Sequence, residues 1–413
     1  MASTIASRLP HFMRYCWPYC TSYGGNDFSG VVAFFANHTL FRDRRVGGGL
    51  LHPSTTYQMS GHSFRLNAPP ETESTVDVSK VMPIYAPSSL PNDGNARSAY
   101  DRALHLLKTN PPEKRLDIHL PYSQYLKLQE SWSNYKSEAN IAEDQSYPRL
   151  SYNSLEQIAT VVTSQRALHE SAAARLRTAI FNSVWEYLSI HKPDETGRIA
   201  DTGSTTRKST YGKYSKSAKD PDGSFMYGDE DKGPLLRVAI EVGFSEDYPG
   251  LRRDKDMWIK GRNAKVVILV CLRESPQFKD PEIAYEDIDD VNLELARMGQ
   301  TVAKAGLRNL EQGEYGPMEY RNHKWFGKLE EAFIECWRAD RKRRFRTVLI
   351  ENGHHKVHLP TTIGLKVRDF LSEAAWAAAD IPDSDVRLDL DRYLQSLLIP
   401  VQATALSRLE DFI

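Results

Sequence analysis

Asp222 and Glu241 are the two side chains of this chain whose type and setting point most directly to chemistry. Asp222 follows Pro221 and opens a stretch with strand character. Glu241 lies within Leu235–Phe244, a run that is otherwise almost entirely β-branched, aliphatic or small. A carboxylate embedded in such a run is costly to bury unless something positive compensates it. A divalent cation is one such partner, and a hard cation such as Mg²⁺ prefers oxygen ligands. An ion pair with Arg252, Arg253 or Lys255 is a second solution, and an edge strand that turns Glu241 to water is a third. Two carboxylates around one metal-held water would be equipped for hydrolysis, with a nearby lysine to orient the water or offset charge.

The surrounding elements follow from periodicity. Lys265–Leu272 reads as a buried strand, and between it and Leu235–Phe244 the residues Leu251, Asp254, Met257 and Trp258 have helical spacing over 248–260. Upstream, Leu168, Ala172, Leu176, Ile180, Val184 and Leu188 form one apolar stripe of a helix from Gln165 to His191, stopped by Pro193. His169-Glu170 near its start is either a solvated first turn or a pair that faces the acids. Arg198–Thr205 reads as a further strand. The stretch from Thr202 to Lys219 then carries Arg207, Lys208, Lys213, Lys216 and Lys219 with Tyr211 and Tyr214 and no acid. A cationic loop with interleaved aromatics suits phosphate contact and base stacking, although many soluble loops share that composition.

A Pro-Asp opening one strand, an acid within the next, then a helix and an apolar strand resembles the PD-(D/E)xK nuclease superfamily. The Glu241-Val242-Gly243-Phe244-Ser245-Glu246 stretch, with Trp258 beyond it, is similar to a fungal variant of the putative restriction-endonuclease branch. The resemblance covers residues 151–275 and implies an α+β fold with an α/β core of order helix-strand-strand-strand-helix-strand. It implies Mg²⁺-dependent cleavage of nucleic acid, DNA in the first instance, with Asp222 and Glu241 as metal ligands and the Val242 carbonyl beside them. The superfamily pattern places a lysine two residues after the second acid, where this chain has Gly243. In the bacterial branch that lysine is carried by the following helix, which makes Lys255 the candidate here. Lys208, Lys213, Lys216 and Lys219 are the candidate nucleic-acid contacts, and Ser245 a candidate phosphate or water contact. With Gly243 in the lysine position, a nuclease-like fold that binds nucleic acid or serves as a scaffold without turnover stays open.

The 413 residues allow more than one domain. The net charge of −1 excludes a global field that draws the chain to nucleic acid or membrane, leaving that role to local patches. Four cysteines, with no second pair for Cys16 and Cys20, argue against a disulfide framework and suit an intracellular protein of nucleus or cytoplasm. Residues 1–95 read as a poorly ordered leader, whose first 26 residues have arginines but no acid, a transit-peptide-like trait. Helices are expected over 97–108 and 121–138 within an N-terminal extension (96–150), with a capping box at Ser154–Gln157 opening another. Residues 276–413 are expected to be mostly helical: a helix from Glu286, one over Lys328–Arg338, and helical segments after Leu365 with a core piece at Ala374–Ala379. Arg341–Arg346 is a basic run, and Asn352-Gly353 marks a hairpin within 345–359.

Overall fold

The computed structural model describes residues 98–142, 147–205, 207–244, 248–280, 308–309, 315–320, 322–340 and 344–412. The expected leader, the helix expected from Glu286, Ser245 and Arg341–Arg343 lie outside these residues.

In chain order the elements begin with α1 (Ala99–Thr109), β1 (Arg115–His119), α2 (Tyr122–Glu138), β2 (Arg149–Asn153) and β3 (Ile158–Val162). Helix α3 (Ala167–His191), a short α4 (Pro193–Thr196) and β4 (Ile199–Asp201) follow, then β5 (Arg207–Lys208) and β6 (Ala218–Lys219). The centre of the chain is β7 (Gly223–Asp229), β8 (Gly233–Phe244), α5 (Tyr248–Arg262) and β9 (Val266–Ser275). Beyond it lie β10 (Arg308–Asn309), β11 (Met318–Tyr320), β12 (His323–Phe326), β13 (Lys328–Arg338), β14 (Phe345–Glu351) and β15 (His354–His355). Helices α6 (Glu373–Ala379), α7 (Leu390–Gln395) and α8 (Leu398–Phe412) complete the described chain. The fold is mixed α+β, and no described helix is long and apolar enough to cross a membrane.

The main sheet has seven strands in the order β15-β14-β13-β9-β8-β7-β4. Strands β8 and β9 are parallel, joined by the crossover helix α5, while β7–β8 and β13–β9 are antiparallel. Alternation along the strands divides the core into two layers. Val238, Ile240, Val242, Ile268 and Val270 pack with the apolar stripe of α3, and Ala239, Val267, Leu269 and Cys271 pack with Leu251 and Trp258 of α5. A second, five-stranded sheet, β1-β3-β2-β6-β5, packs against α1 and α2.

Several sequence expectations give way here. Lys328–Arg338 is strand β13, paired along its length with β9 and β14, and not a helix. Leu329, Ala332, Phe333 and Cys336 have helical spacing, but a register shift between Leu329 and Glu331 lets the same residues alternate across two sheet faces. Ser154–Gln157 forms the turn of the β2–β3 hairpin, because the Asn153 Oδ1 accepts the Leu155 and Glu156 amides at 3.1 and 3.3 Å in place of a helix cap. The region after 275 is therefore mixed, with strands as well as helices, and in α6 only Ala379 is buried. Asn352 and Gly353 both have positive φ, 53° and 77°, as a type I′ hairpin requires.

Candidate functional site

Asp222 stands where β7 begins, and the strand register places it against Glu241. Gly223 pairs with Ile240, and the Asp222 amide donates to the Ile240 carbonyl at 3.0 Å. Both acids are buried, their side chains 7% and 3% exposed. Their surroundings differ.

Asp222 turns its carboxylate along the sheet. Oδ2 accepts the Val242 amide at 2.8 Å, and Oδ1 accepts from Arg149 at 2.9 Å. His169, on the first turn of α3, brings Nε2 within 3.3 Å of Asp222 Oδ2 and 2.8 Å of the Val242 carbonyl oxygen. That carbonyl can only be met by a protonated ring nitrogen, which fixes Nε2 as a donor. The cluster extends outward: His169 Nδ1 lies 3.6 Å from Glu170, Tyr147 donates to Glu170 at 2.6 Å, and the Arg149 guanidinium stacks 4.3 Å above the Tyr147 ring. Burial disfavours charge on both His169 and Asp222, but their mutual attraction outweighs it. It holds the imidazole protonated with its pKa pushed up to about 10, and Asp222, also helped by Arg149, is held below the usual carboxylate range.

Glu241 lies under α5. Trp258 Nε1 donates to its Oε1 at 2.5 Å, and the Lys219 ammonium sits 3.2 Å from Oε2 and 2.8 Å from Asp254. Burial nevertheless pushes the Glu241 carboxyl well above its ordinary range, opposed by Lys219 and reinforced by Asp222.

The lysine of this cluster is therefore Lys219, from β6, and not Lys255. Lys255 lies on the same buried face of α5 as Leu251 and Trp258, but its ammonium bonds Asp256 at 2.6 Å and lies 4.2 Å from the centre of the Trp337 ring. Trp337 is on β13, two strands from β8, a lateral offset of about 9.5 Å. Gly243 explains why no lysine stands two residues after Glu241. It faces α5, and a Cβ there would meet Leu251 Cδ1 at 2.5 Å. A side chain at 243 would have to displace the Leu251 side chain.

Of the four lysines expected to contact nucleic acid, Lys219 is turned inward onto Glu241 and Asp254, which corrects that assignment. Lys208, Lys213 and Lys216 are exposed, the last with its ammonium 5.0 Å from the Tyr122 ring centre. Their loop is fastened to the end of α5 by the Thr210 and Tyr211 amides, which donate to the Gly261 carbonyl at 3.1 and 3.3 Å, and by Arg262, which bonds the Lys208 carbonyl. Among the described residues none of Arg207, Lys208, Lys213, Lys216 and Arg262 forms an ion pair with an acid. Burial and the neighbouring Arg262 charge pull the Arg207 guanidinium below its ordinary pKa. This is a surface of unneutralised cations with the half-exposed Tyr211 among them.

The oxygens that the resemblance assigns to Mg²⁺ are all engaged by donors of this chain. Asp222 has Arg149, the Val242 amide and His169; the Val242 carbonyl has His169; Glu241 has Trp258 and Lys219. Among the described residues no group of three or more His, Cys, Asp and Glu side chains is arranged to hold a metal ion. A protonated imidazole nitrogen stands where Asp222 and the Val242 carbonyl converge. In this arrangement the residues do not fit a divalent cation. Of the two side chains that engage Asp222, the sequence offered His169, with Glu170, by its place near the start of the helix preceding the sheet, and gave no sign of Arg149, which lies 73 positions from its partner.

Comparison with family models, with curated proteins and with solved structures gives no match for this chain.

Proposed function

We propose that α3, β4, β7, β8, α5 and β9 form a restriction-endonuclease-like core that binds nucleic acid, DNA in the first instance, with its acid pair held by internal cations instead of magnesium. The order helix-strand-strand-strand-helix-strand and the cross-strand placement of Asp222 and Glu241 support the fold reading. The observation that carries the functional one is the His169 Nε2 position, 2.8 Å from the Val242 carbonyl and 3.3 Å from Asp222. Arg149 and His169 hold Asp222, and Trp258 and Lys219 hold Glu241, so the cluster stiffens the core, and binding falls to the Lys208–Lys216 loop, whose charges are left for phosphates.

Metal-dependent hydrolysis is the second reading, favoured by the Lys219 ammonium 3.2 Å from Glu241. It requires His169 and Lys219 to leave their present partners. One experiment separates the two. Purified full-length protein is incubated with labelled single- and double-stranded DNA, with and without Mg²⁺ or Mn²⁺, over a salt series. Retarded but intact DNA, with affinity falling as salt rises, supports binding. Mg²⁺-stimulated cleavage that Asp222→Asn and Glu241→Gln both abolish supports hydrolysis, and no retention at low salt removes the binding reading.

A further inference from the structure

A cavity of about 280 Å³ opens beside the acid cluster, sharing His169 and Val242 with it. Its walls come from the β1 approach (Glu113–Arg115), the end of β3 (Val162), the entry to α3 (Gln165, Arg166, His169), the end of β8 (Val242, Phe244), the segment after β9 (Gln277, Phe278), and Arg408 of α8. Two of its cations belong to the wall itself. Arg408 is clamped by Glu274 at 2.8 and 2.9 Å and by Glu113 at 3.0 Å, while Arg166 is held by Glu113 and Asp411. Lys114 differs. Its side chain is exposed at the rim and has no ion pair among the described residues, while its backbone is fixed by the Thr163 hydroxyl at 2.8 Å.

The lining has three kinds of surface. One is cationic, with Lys114 at the rim; the buried His169 beside it has its charge matched by Asp222 and Glu170, and its Nδ1, 3.6 Å from Glu170, makes no hydrogen bond. A second is an amide edge, with Gln277 and with Gln165, whose Oε1 is buried without a donor. The third is apolar and aromatic, with Val162, Val242, Phe244 and Phe278. A matching ligand carries an anion, a hydrogen-bonding edge and a flat apolar body. The volume lies just below that of most small-molecule sites, which run from about 300 Å³ upward, and is far too small for paired strands.

We propose that this cavity receives one unpaired nucleotide, its phosphate at Lys114 and its base against the Phe244 and Phe278 wall. The inference rests on the nucleic-acid reading above where the nucleotide belongs to a strand, and stands apart from it where the nucleotide is free. For a strand, the pocket selects an end or an extruded base, because only an unstacked nucleotide can enter.

The test titrates the full-length protein with thymidine 5′-monophosphate, with a 5′-phosphorylated single-stranded oligothymidylate and with a blunt duplex. It compares the natural sequence, Lys114→Glu, and a triple Lys208→Glu/Lys213→Glu/Lys216→Glu variant. The Lys114 and loop side chains are exposed, so neither variant removes a core contact. Lys114→Glu is expected to weaken the mononucleotide and the single strand about tenfold or more, the worth of one charge-assisted phosphate contact, while duplex affinity holds. The triple variant is expected to weaken strand and duplex and to leave the mononucleotide unchanged. Mononucleotide binding with no strand binding assigns the pocket to a free nucleotide and removes the nucleic-acid reading. A strand that competes with the mononucleotide assigns the pocket to a strand. Absent mononucleotide binding, or mononucleotide affinity indifferent to Lys114→Glu, overturns the pocket whatever the duplex does.

Discussion

Replacing Asp222 by Asn tests the electrostatic core of the cluster. The substitution keeps the shape and a carbonyl oxygen for the Val242 amide, but it removes the counter-charge of Arg149 and His169, both of which contact Asp222 in a buried setting. Against the cost of burial, Asp222 and, after it, Glu170 push the His169 pKa up from 6.5 to about 10 in the fold, a net effect of the two acids worth about 5 kcal/mol. Breaking a buried ion pair from one side costs about 3–5 kcal/mol, so the two figures agree in scale. The sign of the pH dependence follows from the directions of the shifts. His169 is raised in the fold, so its stabilisation is full below pH 6.5 and is lost as pH climbs through about 10. Asp222 is lowered, so its share is present above its unfolded value of 3.8 and disappears in stronger acid. Urea unfolding followed by tryptophan fluorescence should show Asp222→Asn about 3–5 kcal/mol less stable than the natural protein near pH 5–6. The gap should shrink steadily toward pH 10 as the imidazole loses its proton. A loss under about 1 kcal/mol at pH 6, or a gap that does not change with pH, refutes the ion-pair account.

Lys219→Met leaves Glu241 buried with Trp258 as its main donor. Because Glu241 is raised in the fold, ionising it costs stability as pH rises above 4.5, so the variant's deficit should be larger at pH 8 than at pH 5; equal deficits contradict this. Gly243→Ala puts a methyl group 2.5 Å from Leu251 Cδ1 and should cost about 1–3 kcal/mol by overpacking, recovered in part by adding Leu251→Ala. Arg408→Ala strips the bidentate partner from Glu274, which has no exposed surface, and should cost about 3–5 kcal/mol in thermal or urea unfolding.

Much of the central architecture was legible because its residues satisfy one period only. The α3 stripe, the aliphatic runs of β8 and β9, and the helix between them needed no long-range information. Lys328–Arg338 was different: its apolar residues fit a helical face as well as a strand with a bulge, and pairing with β9 decided between them. The two acids could be read from their types, since one follows a proline and the other interrupts an aliphatic run. Their partners could not. Arg149 arrives from a separate sheet, and Lys219 sits in a loop whose other lysines face outward, so its inward turn depends on where β6 lies. Lys255 was attractive by position along the helix and does share the buried face of Trp258, yet its ammonium turns to Asp256 and the Trp337 ring instead of the acids.

The claim that everything rests on is that the imidazolium of His169, and not a divalent cation, bridges Asp222 and the Val242 carbonyl. The measurement is the ring ¹⁵N spectrum of His169, assigned by its loss in His169→Gln, recorded as Mg²⁺ is titrated into the full-length protein at pH 7. A doubly protonated ring whose resonances stay fixed through millimolar Mg²⁺ is the expected result. A saturable shift, in which His169 loses a proton or its bond to the carbonyl as Mg²⁺ binds and which Asp222→Asn removes, contradicts it.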